Sequence, residues 1–204
     1  MINVSEHERF GDIDIYLFDQ ILKGRIHAGD RVLDAGCGSG RNLVYLLRSG
    51  IDVWGVDADS DAVADVTELA RRLAPELPSD HFKVAPIEAT GFGDGTFTVV
   101  LASAVLHFAR GDDQFAAMLE ELWRVLASGG MFFSRLASSI GIEEQVHRLS
   151  NGRFRLPDGT ERYLVDEPTL KQWTDRLGGR LLDPLKTTLV HGQRSMTTWV
   201  LRKS

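Results

Sequence analysis

Residues 32–42 read Val-Leu-Asp-Ala-Gly-Cys-Gly-Ser-Gly-Arg-Asn, and here residue type and spacing together bear on chemistry. Val32, Leu33 and Asp34 close a β-rich run, glycines alternate at Gly36, Gly38 and Gly40, and a helix-like run starts at Asn42. Alternating glycines let a backbone turn tightly and approach a ligand that a Cβ would exclude. The free N–H groups at the start of the next helix would then face that ligand. Asp34 decides which ligand. A carboxylate two residues ahead of the first glycine repels a pyrophosphate and suits a cation.

S-adenosylmethionine carries two positive centres, an ammonium and a sulfonium. The run from Leu33 to Gly40 resembles the first motif of class I S-adenosylmethionine-dependent methyltransferases. Other blocks follow in that family's order. Asp52-Val53-Trp54-Gly55-Val56-Asp57 is similar to its second strand, with the ribose-binding acid at the end. Gly93 to Leu101 resembles the approach to its fourth strand, and Leu122 to Gly130 the turn before its fifth. A lone glycine motif is weak evidence, but blocks in register over residues 30–135 are specific. Within the family the chain looks closest to the compact stand-alone bacterial members, including the tellurite-resistance type.

The resemblance implies an α/β fold, a Rossmann-like three-layer α/β/α sandwich. Its sheet would be mostly parallel and seven-stranded, ending in a C-terminal antiparallel hairpin. It also implies site residues. Gly36 and Gly38 would border the methionine part of the cofactor by their backbones, with Cys37 between them and Asn42 just beyond. Asp34 would lie near the cofactor's amino group, Asp57 would accept hydrogen bonds from the ribose, and Ala58 would pack beside the adenine. Ser103, at the end of the fourth strand, would line the same crevice. The family often binds the adenine amino group through an Asp where this chain has Pro86. Ile87 would then offer its backbone, and Glu88 is the nearest carboxylate.

Methyl transfer from a sulfonium is an in-line displacement, so the protein chiefly aligns the acceptor and excludes water. A general base is needed only where the acceptor must lose a proton. His107, just past the fourth strand, is the candidate base, with an unperturbed pKa suited to the task. The plainer reading packs it beside Phe108. Arg135, ending the fifth strand, could pair with an anionic acceptor or form an ordinary surface ion pair. Tyr16 and Phe18 could line the pocket or simply pack, and Asp14 is expected to be solvated. Arg162 and Tyr163 are weaker candidates. The remaining histidines are too far apart for a metal set, and no metal is expected.

These residues need elements to hold them. Short β-rich runs alternate with helical ones from Arg31 onward, which predicts parallel βαβ units. Strands are expected at 31–35, 52–57, 81–86, 97–103 and 130–135, and helices at 40–49, 59–74, 112–127 and 167–177. Two tail strands, 181–190 and 197–202, would pair antiparallel. Residues 12–27 have apolar residues at helical spacing. Residues 136–166 form a long connection of the kind that makes lids, with a hairpin around Pro157-Asp158-Gly159. Both segments are expected to close over the site.

The 204 residues suffice for a single domain, 1–204, with a sizeable core. Net charge is −6 with no Lys/Arg stripe, which argues against tight nucleic-acid binding. The segment after the fourth strand, Ala102 to His107, also lacks the Pro-Pro and Pro-Cys motifs of nucleic-acid methyltransferases. A small molecule is therefore the expected acceptor. A single cysteine and a polar N-terminus without a signal-peptide core point to the cytoplasm, with no membrane span and a monomer or homodimer. Two alternatives remain. A non-catalytic sensor or partner domain would use the same cofactor crevice. A nicotinamide-dependent oxidoreductase is disfavoured, because the glycines run Gly-x-Gly-x-Gly rather than Gly-x-Gly-x-x-Gly.

Overall fold

A computed structural model of the protein describes residues 5–204, so the start of the polar N-terminal stretch lies outside the described residues. Two short helices come first, α1 (Glu6–Phe10) and α2 (Ile15–Leu22). Asp14 caps α2 by accepting hydrogen bonds from the N–H groups of Tyr16 and Leu17. An alternating series follows: β1 (Arg31–Ala35), α3 (Val44–Arg48), β2 (Asp52–Asp57), α4 (Ser60–Leu73), β3 (Phe82–Val84), β4 (Phe97–Ser103), α5 (Asp112–Val125) and β5 (Leu126–Ala137). Then come three short strands, β6 (His147–Arg148), β7 (Arg153–Arg155) and β8 (Glu161–Tyr163), and α6 (Glu167–Arg176). The chain ends in β9 (Gly179–Leu181), β10 (Lys186–Val190) and β11 (Arg194–Lys203).

The main sheet runs β10-β11-β5-β4-β1-β2-β3, with β9 also paired to β11. Its five strands from β3 to β5 are parallel, and β11 enters antiparallel beside β5. The central strands are apolar on both faces because helices cover both: β1 is buried from Val32 to Ala35 and β4 throughout except Thr98. One face packs on α5, whose Phe115, Met118, Leu119, Leu122 and Val125 recur at helical spacing. The other packs on α3, α4 and Leu17 of α2. Strand order reverses between β1 and β4, and in open α/β sheets ligands bind at such a switch, beyond the carboxyl ends of the strands.

The expected fold class holds, with differences of local origin. The sheet has eight strands rather than seven, because the run expected at 181–190 breaks at Leu182–Leu185 into β9 and β10. The fifth strand extends to Leu126–Ala137 as β11 pairs along it. The third is confined to Phe82–Val84, ending before Pro86, which has no N–H to donate. Helix α3 begins at Val44 rather than at residue 40. Gly40 lies at φ +85° and Asn42 spends its side-chain oxygen on the N–H of Asp14, leaving an irregular turn. The glycine loop therefore runs into an irregular turn and not directly into a helix N-terminus. Residues 136–166 are not a bare loop: β6, β7 and β8 form a second, antiparallel sheet, with the expected hairpin as its β7–β8 half.

Candidate active site

The glycine loop is shaped by its backbone and tied to the next strand. Gly36, Gly38 and Gly40 have φ of +76°, +52° and +85°, where a side chain is disfavoured. The N–H groups of Gly36 and Cys37 donate to the carbonyl of Val56 at 2.8 and 3.1 Å, and that of Gly38 donates to Asp57 Oδ2 at 2.9 Å. The other oxygen of Asp57 accepts from the N–H of Asp59 at 3.0 Å. The glycines differ in what surrounds them. A Cβ on Gly36 would run into Val105 and one on Gly40 into Leu69 and Val66, whereas one on Gly38 would meet nothing within 4 Å. Gly38 is where the backbone faces open space.

Among the described residues, four buried side-chain atoms have no hydrogen-bond partner: Asp34 Oδ1, Ser103 Oγ, Arg135 Nε and Thr198 Oγ1. They are not scattered. Ser103, Arg135 and Thr198 pair in register across β4, β5 and β11, and Asp34 pairs with Leu101, two residues before Ser103. Paired residues point to one face of a sheet, so all four lie on the face covered by α2, α3 and α4. Orphaned buried polar groups are costly and call for an explanation. Burial is the main force pushing the Asp34 carboxyl up, to about 7, with Asp57 adding repulsion and Arg41 opposing.

The other expected residues take these places. Arg135 donates from Nη1 to Asp14 Oδ2 at 3.0 Å and lies over the ring of Tyr16. Asp14 is therefore not solvated, as its type suggested, but buried as the shared partner of Asn42, Arg135 and its own helix. The Tyr16 hydroxyl meets Thr188 Oγ1 at 2.8 Å. Cys37 is buried and its thiol pushed far up by burial, so it is an inert wall of the loop. Ala58 is exposed just past β2, and Ile87 is buried in a 3-10 turn that starts after Pro86. Glu88 accepts from Gln114 Nε2 at 2.8 Å.

His107 packs beside Phe108, their ring centroids 4.6 Å apart. It is 7% accessible, and burial, followed by the charges of Arg162 and Arg194, holds its pKa down at about 4. Its Nδ1 accepts from the N–H of Ala137 at 3.3 Å, so the neutral ring carries its proton on Nε2. In that tautomer the neutral ring presents a hydrogen-bond donor at Nε2. Thr198 and Arg194 went unnoticed in the sequence. Only strand register shows the first, and only the fold brings the second beside His107.

The profile of a family described as "Methyltransferase domain" matches residues 33–134, half of the chain. The matched span runs from the start of the glycine motif into β5. The chain belongs to this methyltransferase family. An uncharacterized methyltransferase of Synechocystis sp. is 30% identical to this methyltransferase over 189 residues, 93% of this chain and 78% of that one. The chain spans only 39% and 48% of two malonyl-[acyl-carrier protein] O-methyltransferases that it also matches. A solved S-adenosylmethionine-dependent methyltransferase from Methanosarcina mazei superposes with a TM-score of 0.71 at 21% identity, covering 90% of this chain and 96% of that one. Burkholderia thailandensis 1,6-didemethyltoxoflavin-N1-methyltransferase gives 0.70 at 21% identity, covering 92% and 76%.

The methyltransferase's cofactor is S-adenosylmethionine, and the residues present fit it. On this face of the sheet an Asp34 oxygen lacks a donor and an Arg135 N–H lacks an acceptor. A ligand bearing an ammonium and a carboxylate answers both, and the methionine end of this cofactor has that pair. Gly38 leaves free the space such a ligand needs. Among the described residues no group of three or more His, Cys, Asp or Glu is arranged to hold a metal.

Proposed function

We propose that this methyltransferase moves a methyl group from S-adenosylmethionine to a small-molecule acceptor. The observation that carries the reading is the row of unpartnered buried polar atoms at the open end of the glycine loop. Asp34 and Arg135 would hold the two charges of the methionine end, Gly36 and Gly38 its backbone contacts, and Asp57 the ribose. When bound, the cofactor supplies an activated methyl on its sulfonium, which an acceptor displaces in line. Asp14 ties α2 to Arg135 and Asn42 and so brings Tyr16 across the crevice. That placement suits α2 to exclude water and orient the acceptor, and it makes residues 12–27 one wall of the lid.

The acceptor side is supplied by the other expected lid segment. A cavity of about 220 Å³ opens where the chain leaves β4, walled by Ala104, His107 and the β7–β8 hairpin. That volume is small beside the ~300–1,000 Å³ of sites for drug-sized ligands, which favours a compact acceptor over a macromolecule. The Burkholderia neighbour, whose fold is shared here, is solved with 1,6-didemethyltoxoflavin and S-adenosylhomocysteine bound. Pro86, standing where an adenine-binding Asp is common, favours a second reading, a cofactor sensor without turnover.

One labelling experiment separates these. The protein is incubated with methyl-labelled S-adenosylmethionine and a protein-free metabolite extract, and in parallel with added RNA and added protein. Label in small organic products supports the proposal. Label only in added RNA or protein contradicts the small-molecule acceptor, and cofactor binding without any transfer favours the sensor.

A further inference from the structure

The cavity beside His107 has a charge at odds with the rest of the protein. The chain carries a net charge of −6, yet no residue lining this cavity is acidic, and two arginines, Arg162 and Arg194, do line it. Phe108, Leu156 and Met196 make up much of its apolar wall.

The two arginines are not equivalent. Arg194 is matched: its Nε and Nη2 both donate to Asp158 Oδ2, at 2.9 and 2.6 Å. Arg162 is not. Glu161, its neighbour in β8, pairs with Arg153 and Arg155 instead. Arg162 donates Nη1 only to the carbonyl of Glu161, at 2.7 Å, and lies 4.9 Å from the centre of the Phe108 ring. It is half-buried and makes no ion pair among the described residues. A partly desolvated guanidinium without a counter-charge seeks an anion, and its planar fork suits a carboxylate. His107 adds a second donor. Its Nδ1 is engaged by Ala137, which leaves the proton on Nε2, the opposite side of the ring.

We propose that this cavity holds the carboxylate of a small, otherwise apolar methyl acceptor, with Arg162 as its charge partner and His107 Nε2–H as a hydrogen-bond donor. The inference rests on the methyl-transfer reading, because it takes the cavity to be the acceptor's side of the site. Two connections support that. Ala104 lines the cavity and directly follows Ser103, one of the unpartnered residues of the crevice. The N–H of Ala104 in turn donates to the carbonyl of Arg135 at 2.7 Å. Phe108, Leu156 and Met196 would take the apolar body. At about 220 Å³ the space admits a molecule the size of benzoate or a short fatty acid.

The test uses benzoate and hexanoate against benzamide and hexanamide, which have nearly the same shape and no charge. Binding to the full chain is measured by ligand-observed NMR in the presence of S-adenosylhomocysteine, for wild type, Arg162→Met and Arg162→Lys. The acids should bind about tenfold or more tightly than the amides, the scale of a charge-assisted pair. Arg162→Met should erase that difference and Arg162→Lys restore part of it. Equal binding of acid and amide, no binding of either at millimolar concentration, or an acid preference that survives Arg162→Met would overturn the proposal. The wild-type ratio decides the matter even if a variant fails to fold. Calorimetry with S-adenosylmethionine keeps the two readings apart: normal cofactor binding without acid preference sinks only this inference, whereas absent cofactor binding sinks the methyl-transfer reading beneath it.

Discussion

Asp34 is a carboxylate that the fold buries without giving one of its oxygens a donor, an arrangement that costs stability. Its folded pKa of about 7 stands above the ordinary carboxylate value. The folded state therefore holds the proton more tightly, so this group's stabilising contribution is present at low pH and is lost as the pH rises from about 4 to about 7. Asp34→Asn should make the ligand-free protein more resistant to denaturant at pH 8 while weakening S-adenosylmethionine binding. Loss of stability with unchanged affinity would mark Asp34 as purely structural. In the wild type, affinity should climb between about pH 6 and 7.5 as the carboxylate ionises to meet an ammonium, and the Asn variant should lose that slope. Asp57→Ala should weaken the cofactor by about 1–3 kcal/mol, the loss of charge-assisted hydrogen bonds; calorimetry on the folded variant checks it. Asp34, the glycines and Asp57 were legible because they sit in short contiguous motifs whose order carries the information. The pairing of Arg162 with His107 was not, since one lies past β4, the other in β8, and only folding joins them.

At the scale of elements, the glycine loop separates conformation from space. Gly36 and Gly38 both require a left-handed backbone, which costs a side chain roughly 1–2 kcal/mol, but only Gly36 is backed by a neighbour, Val105. Gly36→Ala should thus destabilise the fold well beyond that figure, and Gly38→Ala should leave a folded protein that binds S-adenosylmethionine weakly. Denaturant midpoints and calorimetry on the pair test this, and equal midpoints would contradict it. The tie between α2 and the sheet makes a second case. Asp14 caps α2 and pairs with Arg135, so Asp14→Ala should cost about 1–3 kcal/mol by removing the cap and leaving a partly buried guanidinium without its partner. The double variant Asp14→Ala, Arg135→Met should recover much of that loss. The parallel strands were readable as unbroken apolar runs covered on both faces. The start of α3 was misplaced because Asn42 turns its side chain to Asp14 across the fold. The sheet β6–β8 escaped except for its Pro-Asp-Gly turn, its strands being too short to show alternation.

For the whole molecule, the proposed cofactor site lies at the switch between β1 and β4, and Ala104, the residue after Ser103, lines a cationic cavity in a chain of net charge −6. A ligand that binds only the folded state stabilises it by about 2.7 kcal/mol at a hundredfold excess over its Kd. For a chain of this length that corresponds to a rise in Tm of roughly 5–10 °C. Such a shift with S-adenosylmethionine, reduced in Asp57→Ala at the same concentration, is the expected thermal signature. The most direct measurement is calorimetric titration of the wild-type chain at pH 7.5 with S-adenosylmethionine, S-adenosylhomocysteine and NADH. Saturable micromolar binding of both adenosyl ligands and none of NADH is the expected result for a methyltransferase with this site. Heat from NADH alone, or from none of the three, would contradict it.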